Sequence, residues 1–89
     1  MRFLWDAIKR LANLDKHGLD FADVASDFDW TTANLNPARG NRVKAIGRLH
    51  DLVVVVIFAP LGSEAVSIVS LRSASARERM DYAKTRKEL

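Results

Sequence analysis

The sequence of 89 residues predicts an α+β domain, a small antiparallel sheet packed against helices. Three observations predict it. Apolar residues follow a helical period up to Phe28. The period changes to two near Arg42 and leads into an uninterrupted apolar run, Leu52 to Ala59. A second β-branched run, ending at Leu71 and Arg72, then passes through Ser73-Ala74-Ser75 into a basic helix.

Phe3-Leu4-Trp5 reads as a short strand, and Asp6 after it can cap a helix. That helix places Ile8, Leu11 and Ala12 at i, i+3 and i+4 as its apolar side. Lys16 and His17 stand at its end, where cations suit the helix dipole, and Gly18 suits a left-handed cap. Asp20 can cap a second helix that puts Phe21, Val24, Ala25 and Phe28 on one face. Asp29 to Gly40, with Pro37 and several Asn and Thr residues, reads as a loop or an irregular edge strand. From Arg42 to Leu49 polar and apolar residues alternate, so a half-buried strand carries Arg42, Lys44 and Arg48 on its polar face. His50-Asp51 forms a tight turn, Leu52 to Ala59 a central strand, and Pro60 to Ser63 the next turn. Ala65 to Leu71 is the following strand, and Ser75 opens a terminal helix to about Lys87. Ser75 and Glu78 have the spacing of a capping box. The expected order is β-α-α-β-β-β-α, with consecutive strands antiparallel, the helices on one face and residues 1–89 forming one domain.

Composition narrows the function. The chain has no cysteine and two histidines, which removes disulfides and makes a structural zinc site improbable; no cofactor is expected. The apolar run 52–59 is far short of the about 20 residues that span a bilayer, and the N-terminus lacks the apolar core of a signal peptide. The expectation is a cytoplasmic protein without a membrane partner. The net charge of +3 is unevenly spread. Residues 1–30 hold six acids and four Lys/Arg, whereas residues 31–89 hold five acids and ten Lys/Arg. The basic part is the one suited to a polyanion.

The strand–helix junction concentrates that charge. Arg77 and Arg79 fall in the first turn of the terminal helix, against its dipole, and Arg72 ends the strand before it. Arg72 is the strongest candidate for holding a phosphate, since backbone N–H groups of a helix start lie beside it. A salt bridge to Glu78 or Asp81 is the structural alternative. Arg77 and Arg79 stand about 200° apart on a helix, so they cannot share one site. Lys16-His17-Gly18 reads on residues alone as a helix cap. His50 belongs to a turn. Trp5, Trp30 and Tyr82 are of a type that stacks on bases, or else fills a core.

Taken together these residues resemble the BrnT family of type II toxin–antitoxin toxins. The resemblance lies in Phe3-Leu4-Trp5-Asp6, in Asn13-Leu14-Asp15-Lys16-His17-Gly18-Leu19-Asp20-Phe21, in Phe28-Asp29, in Arg42 to Leu49 with Gly47, and in Val69-Ser70-Leu71-Arg72 followed by Ala74-Ser75, Arg77-Glu78-Arg79 and Tyr82. The family is similar to RelE-like ribonucleases, and the resemblance implies a toxin that cleaves RNA and inhibits translation. It implies Arg72, Arg42, His17 and Lys16 as catalytic residues and Lys44, Arg48, Arg77 and Arg79 as RNA-binding residues. It also implies a cognate BrnA-like antitoxin of the ribbon-helix-helix type in a toxin–antitoxin hetero-oligomer, with operator DNA bound only through the antitoxin. The chain departs from the family's pattern at Gly40-Asn41, where an acid usually precedes the arginine, and at Ser67 and Ser73, where basic residues are usual. A catalytically weakened toxin fold that acts as the antitoxin's partner is therefore the alternative function.

Overall fold

The computed structural model describes residues 1–87. The order is β1 (Arg2–Trp5), α1 (Ala7–His17), α2 (Phe21–Asp27), β2 (Asn34–Pro37), β3 (Val43–Leu49), β4 (Leu52–Leu61), β5 (Ala65–Ser73) and α3 (Ala76–Lys87). One five-stranded sheet runs β1-β5-β4-β3-β2. The three pairings among β2, β3, β4 and β5 are antiparallel, as short connections require, and β1 lies parallel to β5 at one edge.

Within Asp29 to Gly40 the structure has an edge strand, β2, one of the two readings of that stretch, and it adds a strand to the expected order. It lies at the other edge, where Pro37 withholds no ladder hydrogen bond. Pro60 is tolerated inside β4 for a related reason. Pairing with β3 ends at Val43 opposite Phe58, so at Pro60 the strand has a partner on one side only. β4 and β5 slip register between Ile57 and Phe58, which leaves Val69 without an opposite residue.

The helices do not share one face, contrary to the sequence expectation. Alternate residues of β4 serve two cores. Val54, Val56 and Phe58 join Phe21 and Val24 of α2, with Phe28, Leu49, Ile68 and Leu71. Val55 meets Ile46, Ala74 and Tyr82 of α3 on the other face. A run apolar on both faces is what a strand with helices on both sides needs. Gly47 faces the first core, where a Cβ would come within 2.7 Å of the Phe28 ring.

The caps follow the sequence. Asp6 accepts from the Lys9 N–H at 2.9 Å and Asp20 from the Ala22 N–H at 3.0 Å. Gly18 closes α1 at φ 70, its N–H bonded to the Leu14 carbonyl. The buried side of α1 does not follow it. Ile8 and Leu11 are 78% and 65% exposed, Ala12 is exposed too, and the one buried residue of the helix is Asn13. Helical spacing defines a face without saying which way it points. Here the inward face is set by an amide. Asn13 Nδ2 donates to the Leu71 carbonyl at 2.8 Å and to the Leu19 carbonyl at 3.2 Å, while its Oδ1 accepts from the Leu71 N–H at 3.2 Å. β1 reaches only as far as Ile68, and the Asn13 side chain takes up the backbone of β5 beyond it.

Candidate functional site

The site lies on the α3 side of the sheet. On β3, Lys44, Ile46 and Arg48 point to this face with Ile57, Val55 and Val53 of β4 opposite them. On β5, Ser70 pairs with Ile57 and Arg72 with Val55, which puts Lys44 and Arg72 on the same face with β4 between them. Arg72 is thus inside β5, which runs to Ser73, two residues beyond the predicted end at Leu71.

α3 comes down over this face at its first turn. Ser75 and Glu78 form the expected capping box: the Ser75 N–H donates to Glu78 Oε1 at 2.8 Å and the Glu78 N–H to Ser75 Oγ at 3.1 Å. The same carboxylate takes both guanidinium nitrogens of Arg72, at 2.7 and 3.0 Å, and pairs with the Lys44 ammonium. Glu78 is 8% exposed, and its pKa is held well below the usual carboxylate range. Arg72 is the main cause, with Lys44 and the Ser75 N–H adding to it against the cost of burial. The guanidinium of Arg72 is in turn held more firmly protonated by Glu78. The structural alternative for Arg72, a pair with Glu78, is therefore present. It also leaves the Arg72 side chain 37% exposed, so the cation is fixed without being hidden.

A groove of about 350 Å³ lies beside this cluster. Lys9, Ala12, Asn13, Lys16 and His17 form its helical wall, Val69 and Ser70 of β5 its floor, and Arg42, the residue before β3, its far side. The register slip that frees Val69 is in that floor. Asn13 fixes the wall, because its bonds to Leu71 hold α1 against β5. The Arg10–Asp20 pair, with bonds of 2.7 and 2.9 Å, ties the other side of α1 to the start of α2 and lowers the Asp20 pKa to about 2. Lys9, Lys16 and Arg42 have no carboxylate partner among the described residues.

The structure brings Lys16, His17 and Arg42 together in one groove, two residues along β5 from Arg72. Lys44 joins through Glu78. Arg48, Arg77 and Arg79 are not part of that arrangement. Arg48 is exposed four residues beyond Lys44, toward the β3–β4 turn. Arg79 Nη1 donates to the Ala74 carbonyl at 2.7 Å, and Arg77 lines a separate cleft with Met80, Asp81 and Lys84. The two do point apart, as helical geometry requires. His50 stands in the β3–β4 turn at φ 56, 2.8 Å from Asp27. Trp30 is packed among Phe3, Phe28 and Phe58, and Tyr82 is 3% exposed with its hydroxyl 3.1 Å from that of Thr32, so both serve packing. Sequence reasoning missed Lys9 and Asn13 as groove residues. The signals were available: Lys9 and Lys16 are seven apart, hence on one helical stripe, and Asn13 is an amide at mid-helix.

This fold is that of a small ribonuclease toxin. The crystal structure of the Brucella abortus ribonuclease toxin, BrnT, matches it with a TM-score of 0.75 and 45% sequence identity, over 84% of this chain and 97% of that one. The family of ribonuclease toxins, BrnT, of type II toxin–antitoxin systems matches residues 5–78. No curated protein matches the chain. The chain belongs to the BrnT family; it is a ribonuclease toxin of a type II toxin–antitoxin system, and a cognate antitoxin is its partner.

Proposed function

We propose that this toxin cuts RNA by in-line transfer within the strand, using its own side chains and no metal ion. The ribose 2′-OH attacks the adjacent phosphorus, the P–O5′ bond breaks, and the products carry a 2′,3′-cyclic phosphate and a 5′-OH. One proton leaves the 2′-oxygen and one arrives at the 5′-oxygen. Arg72, Arg42 and Lys16 stabilise the charge on the pentavalent phosphorus, and His17 moves a proton through its imidazole nitrogens, which can both give and take one. Lys44 and Arg48, with Arg77 and Arg79 further out, attract the RNA backbone.

The observation that carries this reading is the groove in which Lys16, His17 and Arg42 meet the β5 segment leading to Arg72. Purified wild-type protein is expected to cleave RNA, and Arg72→Ala and His17→Ala each to lower the rate by about 100-fold or more. Rates unchanged from wild type in both variants would refute these roles. In a cell, we expect expression to inhibit translation in the cytoplasm and arrest growth, with rescue by a ribbon-helix-helix antitoxin. Operator DNA would be reached through that antitoxin in a hetero-oligomeric complex.

One observation favours a second reading. Glu78 already engages both Arg72 and Lys44, and Ser67 and Ser73 supply no further cation. A chain with its phosphate-binding charge so occupied would act as the antitoxin's partner with little cleavage. Intact RNA after prolonged incubation with folded protein would favour this second reading.

A further inference from the structure

We propose that the antitoxin docks on the outward face of α1, through a segment that is aliphatic on one side and acidic on the other. The inference rests on the reading of the groove above as the RNA site. α1 is amphipathic, yet its apolar side is turned to water: Ile8 is 78%, Leu11 65% and Leu14 39% exposed. The helix does not need that side to stay in place. Asn13 and the Arg10–Asp20 pair hold it from behind. A run of exposed aliphatic side chains along one helix marks a surface that a partner covers.

The charge beside the stripe specifies the partner. Ala12 lies about 40° around the helix from Ile8, and Lys16 about 40° further, with Lys9 close to it. Ala12, Lys9 and Lys16 are wall residues of the groove, and Arg42 faces them across it. A segment seated on Ile8 and Leu11 therefore meets Lys9 and Lys16 on one flank, and these cations lack carboxylate partners among the described residues. Acids on that flank of the segment would complement them. Asp15 ends the stripe, so the acids belong on the groove side only. In that position the antitoxin overhangs the groove and excludes RNA. The apolar groove lined by Met1, Phe3, Trp30, Leu35, Phe58 and Val66 is a poorer choice. Its residues belong to the α2 side of the sheet, and its lining carries no charged residue.

The test uses the full chain and the antitoxin encoded beside it. The double variant Ile8→Ser/Leu11→Ser should melt as wild type and cleave RNA as wild type. It should bind the antitoxin about 100-fold or more weakly, and its growth arrest should not be relieved by antitoxin. In the wild-type complex, hydrogen exchange should slow in the segment around α1. Unchanged antitoxin affinity of the double variant would overturn the proposal. So would loss of affinity in Leu35→Ser instead, or conversion of a self-associated toxin to monomers with antitoxin binding intact. A chain that cleaves no RNA but loses the antitoxin in the double variant would refute the catalytic reading and leave the docking surface standing.

Discussion

Glu78 does three things with one carboxylate. It caps α3, fixes Arg72 and fixes Lys44. Its proton affinity is depressed in the folded chain, and so is that of Asp20, which falls from an ordinary 3.8 to about 2. A carboxylate depressed on folding contributes stability above its unfolded pKa, and that contribution disappears as pH falls through the folded value. Thermal melts should therefore be level near neutrality and drop below about pH 4. Glu78→Gln should lower the melting temperature at pH 7 and flatten the acid limb; a variant as acid-sensitive as wild type would place the effect elsewhere. Part of this was legible. Ser75 and Glu78 announce a capping box by spacing alone. The approach of Lys44 was not, because it depends on a register across β4 that brings together residues 34 positions apart.

At the scale of elements, α1 and β2 show where periodicity stops being informative. The spacing of Ile8, Leu11 and Ala12 correctly gives a helix and its stripe, but the direction of that stripe is set by Asn13 and the free edge of β5. Asn13→Ala leaves the N–H and C=O of Leu71 without partners and should cost about 1–3 kcal/mol, read as a lower urea midpoint with faster amide exchange at Leu71. β2 was legible only as one of two readings, because Asn34, Asn36 and Pro37 are poor strand formers, and its place comes from pairing with β3. Gly47 of β3 is read more easily in the structure. With the Phe28 ring 2.7 Å from the place of a Cβ, Gly47→Ala should destabilise by about 1–3 kcal/mol in chemical unfolding.

For the whole molecule, the two-sided use of the sheet separates the tasks. One face holds Phe21, Val24, Phe28 and Leu71 in the larger core, and the other presents Arg72 and Lys44 beside a smaller one. The apolar run of β4 signalled a central strand and thereby the fold class. The separation of α2 and α3 onto opposite faces was not readable, since nothing local in either helix states which side of the sheet it covers. The parallel placement of β1 beside β5 has the same origin, joining the first strand to the last through pairs such as Phe3 with Val66.

The amide of Asn13 has one more consequence. A sheet edge is a template on which another chain can add a strand, and β1 is too short to cover the whole of β5. By occupying both polar groups of Leu71, a single side chain stops that edge from recruiting a foreign backbone. At the opposite border Pro37 supplies no N–H at all. One amide and one imino acid thus blunt two stretches of the sheet's rim against fibre-like growth.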